Sequence, residues 1–337
     1  MEPTTFGKYT LLRRLAVGGM AELYLARSSD AYGVERMLVL KVIARRYAQD
    51  DTFAKMFQDE VRITATLNHP NIGQVVDVGV VGGRQFLAME HLFGKDLRGI
   101  VRRLRQRGRR GLPIHVAIHV ATRVCAALQH AHEACTIDGE PLKIIHRDVS
   151  PSNIMVTYDG HVKLLDFGIA RAANRVSLTR PGEIKGKVRY LSPEQLLGKA
   201  TDHRTDIFTL GVSLWEATVG RHLFEGKQEV QVYDAISKGA VRAPSSLIPD
   251  YSPELEQIVL KALALDPSDR YGSAREMQED LENCASGGRL MLSELATSEF
   301  LSVLFDDELA MWREAQGAGR SLLDHLVATA TEEEQDL

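Results

Sequence analysis

His146-Arg147-Asp148-Val149-Ser150-Pro151-Ser152-Asn153 and, a little downstream, Asp166-Phe167-Gly168 decide how this chain is read. Between them, residues 154–157 and 161–165 run apolar and β-branched on either side of Asp159-Gly160, a turn pair. The spacing predicts a short hairpin that brings Asn153 and Asp166 back to one place. A carboxylate that can orient a hydroxyl (Asp148), beside two oxygen donors that suit a hard divalent cation (Asn153, Asp166), is the set that phosphoryl transfer requires. A His-Arg-Asp triplet alone is common. The triplet together with its asparagine and the downstream Asp-Phe-Gly is rarely coincidental.

Outward from that stretch the pattern divides in two. Residues 11–15, 21–27 and 37–43 read as strands. A helix is predicted over 53–67 from Phe53, Phe57, Val61 and Leu67, stopping before Asn68-His69-Pro70. Residues 75–81 and 85–90 flank Gly82-Gly83, a two-residue hairpin signal. From Asp96 onward the reading is mainly helical, over 114–133, 206–219, 228–238 and 253–264. A small sheet-rich half followed by a larger helical half is an α+β arrangement with a cleft between lobes.

Composition narrows the class. The 337 residues are 44% hydrophobic and 26% charged with a formal net charge of −4, ordinary for a soluble globular protein and no footprint for nucleic acid. Three scattered cysteines without a CxxC pair fit a reducing cytoplasm. No apolar run is long enough for a membrane span, and the N-terminus lacks a signal-peptide profile. Arg98, Arg102, Arg103, Arg105, Arg107, Arg109 and Arg110 form a basic stretch, either a solvated helix and loop or a docking surface for an acidic partner. After residue 285, apolar clusters (Leu290, Leu292, Leu295; Phe300, Leu301, Leu304, Phe305) and an acidic end, Glu332-Glu333-Glu334, read as amphipathic helices packed on the larger lobe or on a partner.

On these motifs the chain resembles Hanks-type protein kinases, in style most like the bacterial serine/threonine kinases of the myxobacterial branch. The resemblance implies a bilobal protein kinase fold. It places an N-terminal segment at 1–8, the kinase domain at 9–285 (N-lobe 9–90, hinge 90–95, C-lobe 96–285) and a helical C-terminal extension at 286–337. It implies ATP with Mg²⁺ or Mn²⁺ as cofactors and proteins as substrates, with Asp148 orienting the acceptor hydroxyl and Asn153 and Asp166 holding the metal. Lys41 would hold the α- and β-phosphates and Glu60 would pair with that lysine; alone, the first reads equally as an edge-strand charge and the second as a helix-surface charge. Met89-Glu90-His91-Leu92 resembles the hinge, with the backbone at Glu90 and Leu92 bonding adenine. Asp96 stands where an acid contacts ribose, and equally where it would cap the basic helix. Leu23, Val39 and Met155 would sandwich the purine, or are plain core. Tyr190-Leu191-Ser192-Pro193-Glu194 resembles the Ala-Pro-Glu box, with Glu194 expected to pair with Arg270 and Asp206 to brace the catalytic loop.

The departures are specific. Where the family carries G-x-G-x-x-G-x-V, this chain reads Ala16-Val17-Gly18-Gly19-Met20-Ala21-Glu22-Leu23. Backbone N–H groups in a tight turn cradle phosphate without needing every glycine. Ser150 replaces the usual lysine of the catalytic loop, and Lys187 the usual threonine before Ser192-Pro193-Glu194. The two read as an exchange, with Lys187 reaching the transferring phosphoryl group and Ser150 bonding Asp148. Arg147 next to Asp148 implies activation by a phosphate, for which Ser177 and Thr179, beside Arg175 and Arg180, are the candidates. The competing readings are a tyrosine or dual-specificity kinase, a pseudokinase scaffold, and a small-molecule phosphotransferase. The last would not normally carry the long segment between Phe167 and Ser192.

Overall fold

The computed structural model describes residues 4–18, 21–29, 32–48, 50–167, 187–226 and 228–318. They fall into two compact units: the described residues of Met1–Ala65, Gln74–Leu92 and Leu301–Leu337, and those of Thr66–Gly73 and Phe93–Phe300.

In the first unit, β1 (Thr4–Phe6), β2 (Tyr9–Val17), β3 (Ala21–Ser29), β4 (Glu35–Ile43), β5 (Val75–Val81) and β6 (Arg84–Glu90) form one antiparallel sheet in the order β1-β2-β3-β4-β6-β5. Alternation along β4 gives the sheet two faces. Leu38, Leu40 and Val42 join Phe6, Tyr9, Leu11, Tyr24, Ala26, Phe86 and Ala88 on one. Ile43 joins Ala21, Phe57, Leu87 and Met89 on the other, with Leu23, Val39, Val61 and Val75 packed against them. Phe57 and Val61 come from α1 (Asp51–Thr66), whose apolar stripe therefore meets the second face, the one that also carries Lys41. The hairpin at Gly82-Gly83 forms as expected, both glycines in the left-handed region its turn demands. The sheet begins earlier than expected. Thr4–Phe6 pairs with β2 and buries Phe6, a strand too short to show a period in the sequence.

The second unit holds a small sheet, β7 (Gly94–Asp96), β8 (Ile154–Thr157) and β9 (Val162–Leu164), in that order. Its described helices are α2 (Leu97–Gln106), α3 (Ile114–His132), α4 (Pro193–Leu196), α5 (Arg204–Val219), α6 (Glu229–Ser237), α7 (Pro253–Ala262), α8 (Ala274–Gly287) and the start of α9 (Glu294–Leu304). Helix α10 (Asp306–Gly317) follows α9 and belongs to the first unit. α3 packs on α8, and α5 packs on α3 and α7. α5 is buried continuously from Thr205 to Val219, so the polar side chains it carries must find their partners inside the unit. The stretch His69-Pro70-Asn71-Ile72, expected in the first lobe, sits in this unit instead. The Asn71 side-chain amide donates to Val162 O (2.9 Å), its backbone carbonyl accepts from Leu164 N (2.8 Å), and Gly73 N donates to Leu164 O (3.0 Å).

The expected Glu194–Arg270 pair is present and buried, bidentate at 2.8 and 2.9 Å. The remaining guanidinium N–H groups reach Ala264 O, Arg204 O and Leu265 O, so all five donors are used. Thr205 Oγ1 donates to Glu194. Burial alone would raise the Glu194 pKa, but Arg270 and Thr205 outweigh it and the net shift is downward. Removing one partner strands a buried charge. Arg270→Ala is therefore expected to cost roughly 3–5 kcal/mol in urea unfolding. A loss under about 1 kcal/mol would show that relaxation or water replaces the pair.

Candidate active site

The loop that runs from His146 to Asn153 hangs on a carboxylate that is wholly buried. Asp206, in the first turn of α5, is 0% exposed. It accepts from the backbone N–H of His146 (2.8 Å) and of Arg147 (2.8 Å), and faces His132 Nε2 (2.9 Å). The bracing role expected of it is thus seen directly, while His132, at the end of α3, was not anticipated. Its signal, a histidine in the last turn of a long helix, is shared by too many helices to single it out.

His146 is buried between two bonds of opposite sense. Its Nδ1 accepts from Asp148 N–H (3.2 Å) and its Nε2 faces Leu165 O (2.9 Å). A carbonyl only accepts, so Nε2 carries the proton and the ring is neutral. Burial lowers the His146 pKa, opposed by the charges of Asp206 and Asp148. The ring ties the residue before Asp166 to the backbone of Asp148, and it packs on Phe167 at 4.6 Å between centroids.

Asn153 completes the cluster. Its side-chain nitrogen donates to Asp148 O (2.8 Å) and Oδ2 (3.2 Å), and its backbone carbonyl accepts from Leu165 N (2.8 Å). With the nitrogen engaged, the side-chain oxygen is the atom left to present. One amide oxygen and the Asp166 carboxylate make a small, hard donor set, which fits a cation such as Mg²⁺ that keeps water and phosphate ligands of its own. Arg147 and Asp166 both have positive φ (63° and 54°).

Ser150 departs from the expectation. Its hydroxyl pairs with Ser152 Oγ at 3.0 Å, and Asp148 is bonded by Asn153 instead. The expected Ser150–Asp148 bond is not made, because the neighbouring hydroxyl two residues on is the nearer local partner. The Lys187 backbone opens a 3₁₀ turn, Lys187–Tyr190; its side chain lies outside the described residues, as do Gly19, Met20, Gly168, Ser177 and Thr179. Ser192 and Gln195 form a capping box at 3.3 and 2.9 Å, a motif legible as Ser192-Pro193-Glu194-Gln195. Gln195 also donates to Arg147 O (3.0 Å), joining the box to the catalytic loop, which the sequence did not suggest.

In the first unit, Lys41 Nζ meets Glu60 Oε1 at 2.6 Å, with Glu60 buried on α1. Leu23 lies opposite Lys41 across β3 and β4, and Val39 opposite Met89. Leu23, Val39 and Lys41 thus share one half-buried face, as a purine-facing surface needs. Ala16 and Val17 end β2, and Gly18 N donates to Ala21 O (2.8 Å). Glu90 is fixed by Gln74, whose N–H it receives through Oε1 (2.7 Å). Among the described residues nothing accepts from the Leu92 N–H. In the second unit Met155 is half-buried on β8. Asp96 takes the capping role: its Oδ1 accepts from Gly99 N at 2.6 Å at the start of α2.

This fold and this cluster are those of a protein kinase. The protein kinase domain family matches residues 9–281, and the chain belongs to it. It is 43% identical over 281 residues to the tyrosine-protein kinase MasK of Myxococcus xanthus, covering 83% of this chain and 43% of MasK. It is 31% identical over 314 residues to the serine/threonine-protein kinase PrkC of Bacillus subtilis, covering 90% and 45%. The chain spans under half the length of these relatives. The crystal structure of the Mycobacterium tuberculosis PknI kinase domain matches with a TM-score of 0.61 at 29% identity, covering 85% of this chain and 99% of that one. Among the described residues no helix is long and apolar enough to cross a membrane.

The depressed His146 pKa has a pH consequence. Above the ordinary histidine value, about 6.5, the ring is neutral folded or unfolded and its contribution is complete. Below it, the unfolded chain takes up a proton that the folded chain refuses, so stability falls with pH down to the folded pKa. This one group contributes a fall in stability with pH whose slope is at most about 1.4 kcal/mol per pH unit, read from urea unfolding between pH 7.5 and 5.5. Stability that rises on acidification over that range would contradict the neutral assignment.

Proposed function

We propose that this chain is a protein serine/threonine kinase that transfers the γ-phosphoryl group of ATP, with Mg²⁺ or Mn²⁺, to hydroxyls of protein substrates in the cytoplasm. The observation that carries the proposal is the Asp148–Asn153–His146 network hung on Asp206. Bound ATP supplies the phosphoryl group, and the divalent cation neutralises its charge. Lys41, held by Glu60, grips the α- and β-phosphates, while Leu23, Val39, Met155 and the backbone at Glu90 and Leu92 take the adenine. Asn153 and Asp166 hold the cation. Asp148 orients the acceptor hydroxyl and receives its proton as the new oxygen–phosphorus bond forms and the bond to the leaving ADP oxygen breaks. A partner of the C-terminal extension would meet α9, where Leu295 is exposed.

A tyrosine acceptor is the second reading, favoured by the similarity to MasK, a tyrosine-protein kinase by name, and by the absence of lysine at position 150. A pseudokinase is the weaker one, since Lys41, Asp148, Asn153 and Asp166 are all in place. Incubation with γ-labelled ATP and Mg²⁺, followed by phosphoamino-acid analysis, is expected to give phosphoserine or phosphothreonine. Phosphotyrosine alone would select the second reading, and no label the third. Asp148→Asn is expected to keep the fold and ATP binding while lowering kcat by on the order of 10²-fold or more. Wild-type turnover in that variant would refute the role given to Asp148.

Arg147 supports a phosphate-dependent activation step. Its Nε atom is buried without a hydrogen-bond partner among the described residues. A phosphate at Ser177 or Thr179 would bring nearly two negative charges to such a cation. Mass spectrometry of the expressed protein is expected to find phosphate there, and to find none in the Asp148→Asn protein. A fully active sample without phosphate in that segment would remove this mechanism.

A further inference from the structure

The turn that joins β8 to β9 is the far end of the hairpin whose near ends carry Asn153 and Asp166. It is touched by the C-terminal extension. Ser298 Oγ, on α9, donates to Tyr158 O at 2.7 Å. Gly160, with φ +92°, lies so close to α9 that an added Cβ would land on the backbone of Glu294. Ser293 fixes the start of that helix by accepting from Ala296 N at 3.1 Å. The other side of the turn is already held, by Phe93 O accepting from Tyr158 N (3.0 Å) and by the pairing of Gly94 with Thr157. The hairpin is therefore gripped between β7 and the first turns of α9.

The junction is not an ordinary piece of core. His119 on α3 is 1% exposed, and its ring is turned to the Gly160 backbone and has no side-chain hydrogen-bond partner among the described residues. Arg123 Nε and Thr297 Oγ1 are also buried without one. Arg123 from α3, Glu294 from α9, and the Gly160 backbone and His161 from the turn all act on the His119 ring. Buried polar groups without partners cost stability, so a contact that keeps several of them is not maintained for stability alone.

We infer that α9 is a positioning clamp for the phosphoryl-transfer site. By seating Ser298 and the Glu294 backbone on the Tyr158–Gly160 turn, it holds β8 and β9 in register and thereby fixes the spacing of Asn153 and Asp166. The link is short. Residue 157 bonds residue 161 across the turn (Thr157 N to His161 O, 2.9 Å), and Leu165 N bonds Asn153 O (2.8 Å) at the catalytic end. A slip at the turn is a slip at Leu165, the residue before Asp166. Ser298 is a positioning residue, acting through the hairpin rather than on substrate. This inference rests on the kinase reading for its effect on rate, but not for its effect on the hairpin.

The test uses the full chain carrying Ser298→Ala, Ser298→Thr or Gly160→Ala. The alanine at 160 is strained by its φ as well as by Glu294, so Ser298→Ala, which leaves the turn sequence intact, decides the matter if Gly160→Ala does not fold. Amide hydrogen exchange at Thr157 and Leu165 is expected to quicken about tenfold or more in Ser298→Ala, with helices α5 and α7 unchanged. With ATP and a protein acceptor, kcat is expected to fall on the order of tenfold or more and the Mg²⁺ needed for half-maximal rate to rise, with the KM for ATP little changed. Ser298→Thr, which keeps the hydroxyl, is expected to restore both. Unchanged exchange at Leu165, faster exchange with unchanged kcat, or a rate loss without a higher Mg²⁺ requirement would overturn the clamp. A wild-type chain without kinase activity would refute the kinase reading, and the exchange measurement would still decide whether α9 holds the hairpin.

Discussion

The carboxylate of Asp206 is the constraint on which the second unit's chemistry depends. It is removed from water at the start of α5, and what compensates its desolvation is the pair of backbone N–H groups at His146 and Arg147 together with His132. The N-terminus of a long buried helix adds favourable field to a negative charge held there. Since the accepting groups are backbone, the interaction is indifferent to side chains at 146 and 147 but strict about the path of the chain through them. That path decides where Asp148 points. His146 then transmits the same restraint across to Leu165, so the loop that carries the candidate catalytic acid and the segment that carries the candidate metal ligand are fixed by one anchor.

Two arginines show how the same side chain is put to different ends. Arg270 has every N–H engaged by Glu194 and three carbonyls, and it also stacks over Phe208 at 4.8 Å. Nothing remains for a ligand, and its role is to hold the box at Glu194 to the rest of the unit. Arg147 has its backbone N–H and C=O fixed by Asp206 and Gln195, yet its Nε is buried without an acceptor. A saturated guanidinium is architecture, whereas an unsaturated one beside Asp148 is a reason to look for an anion.

The sequence carried most of the fold because its periods were clean. The alternation of Leu38, Leu40 and Val42 with Val39, Lys41 and Ile43 is the two-faced sheet, and the Phe57–Val61 stripe is the helix that covers one face. Asp148, Asn153, Asp166, Lys41 and Glu60 could be singled out because each proposed role demands a particular residue type at a fixed offset, and the structure joins Asn153 to Asp148 and Lys41 to Glu60. The site was illegible where the partner is chosen only by folding. His132 and Gln195 look like any residues at a helix end and in a capping box, and nothing local says that they reach Asp206 and Arg147 O. Asp96 stood between two readings because a carboxylate before an amphipathic helix serves either, and the structure gives it to Gly99 N. Ser150 was assigned to Asp148 on sequence analogy, while a hydroxyl bonds whatever acceptor lies nearest, here Ser152.

The two left-handed side-chain-bearing residues in the site follow from the same restraints. Arg147 at φ 63° and Asp166 at φ 54° occupy a region that costs of order 1–3 kcal/mol for residues with a Cβ. Such a conformation persists only where its surroundings over-determine it. At Arg147 the two amides on Asp206 and the carbonyl on Gln195 do so. At Asp166 the preceding residue is held on both sides, Leu165 N by Asn153 O and Leu165 O by His146. Each strained residue lies at a point where the chain must turn away from a regular element to aim a side chain, one residue before Asp148 in the first case and at the candidate ligand itself in the second. A glycine would relieve the backbone at either position, but it would remove the guanidinium from one and the carboxylate from the other, so the strain is inseparable from the side chains that the site needs.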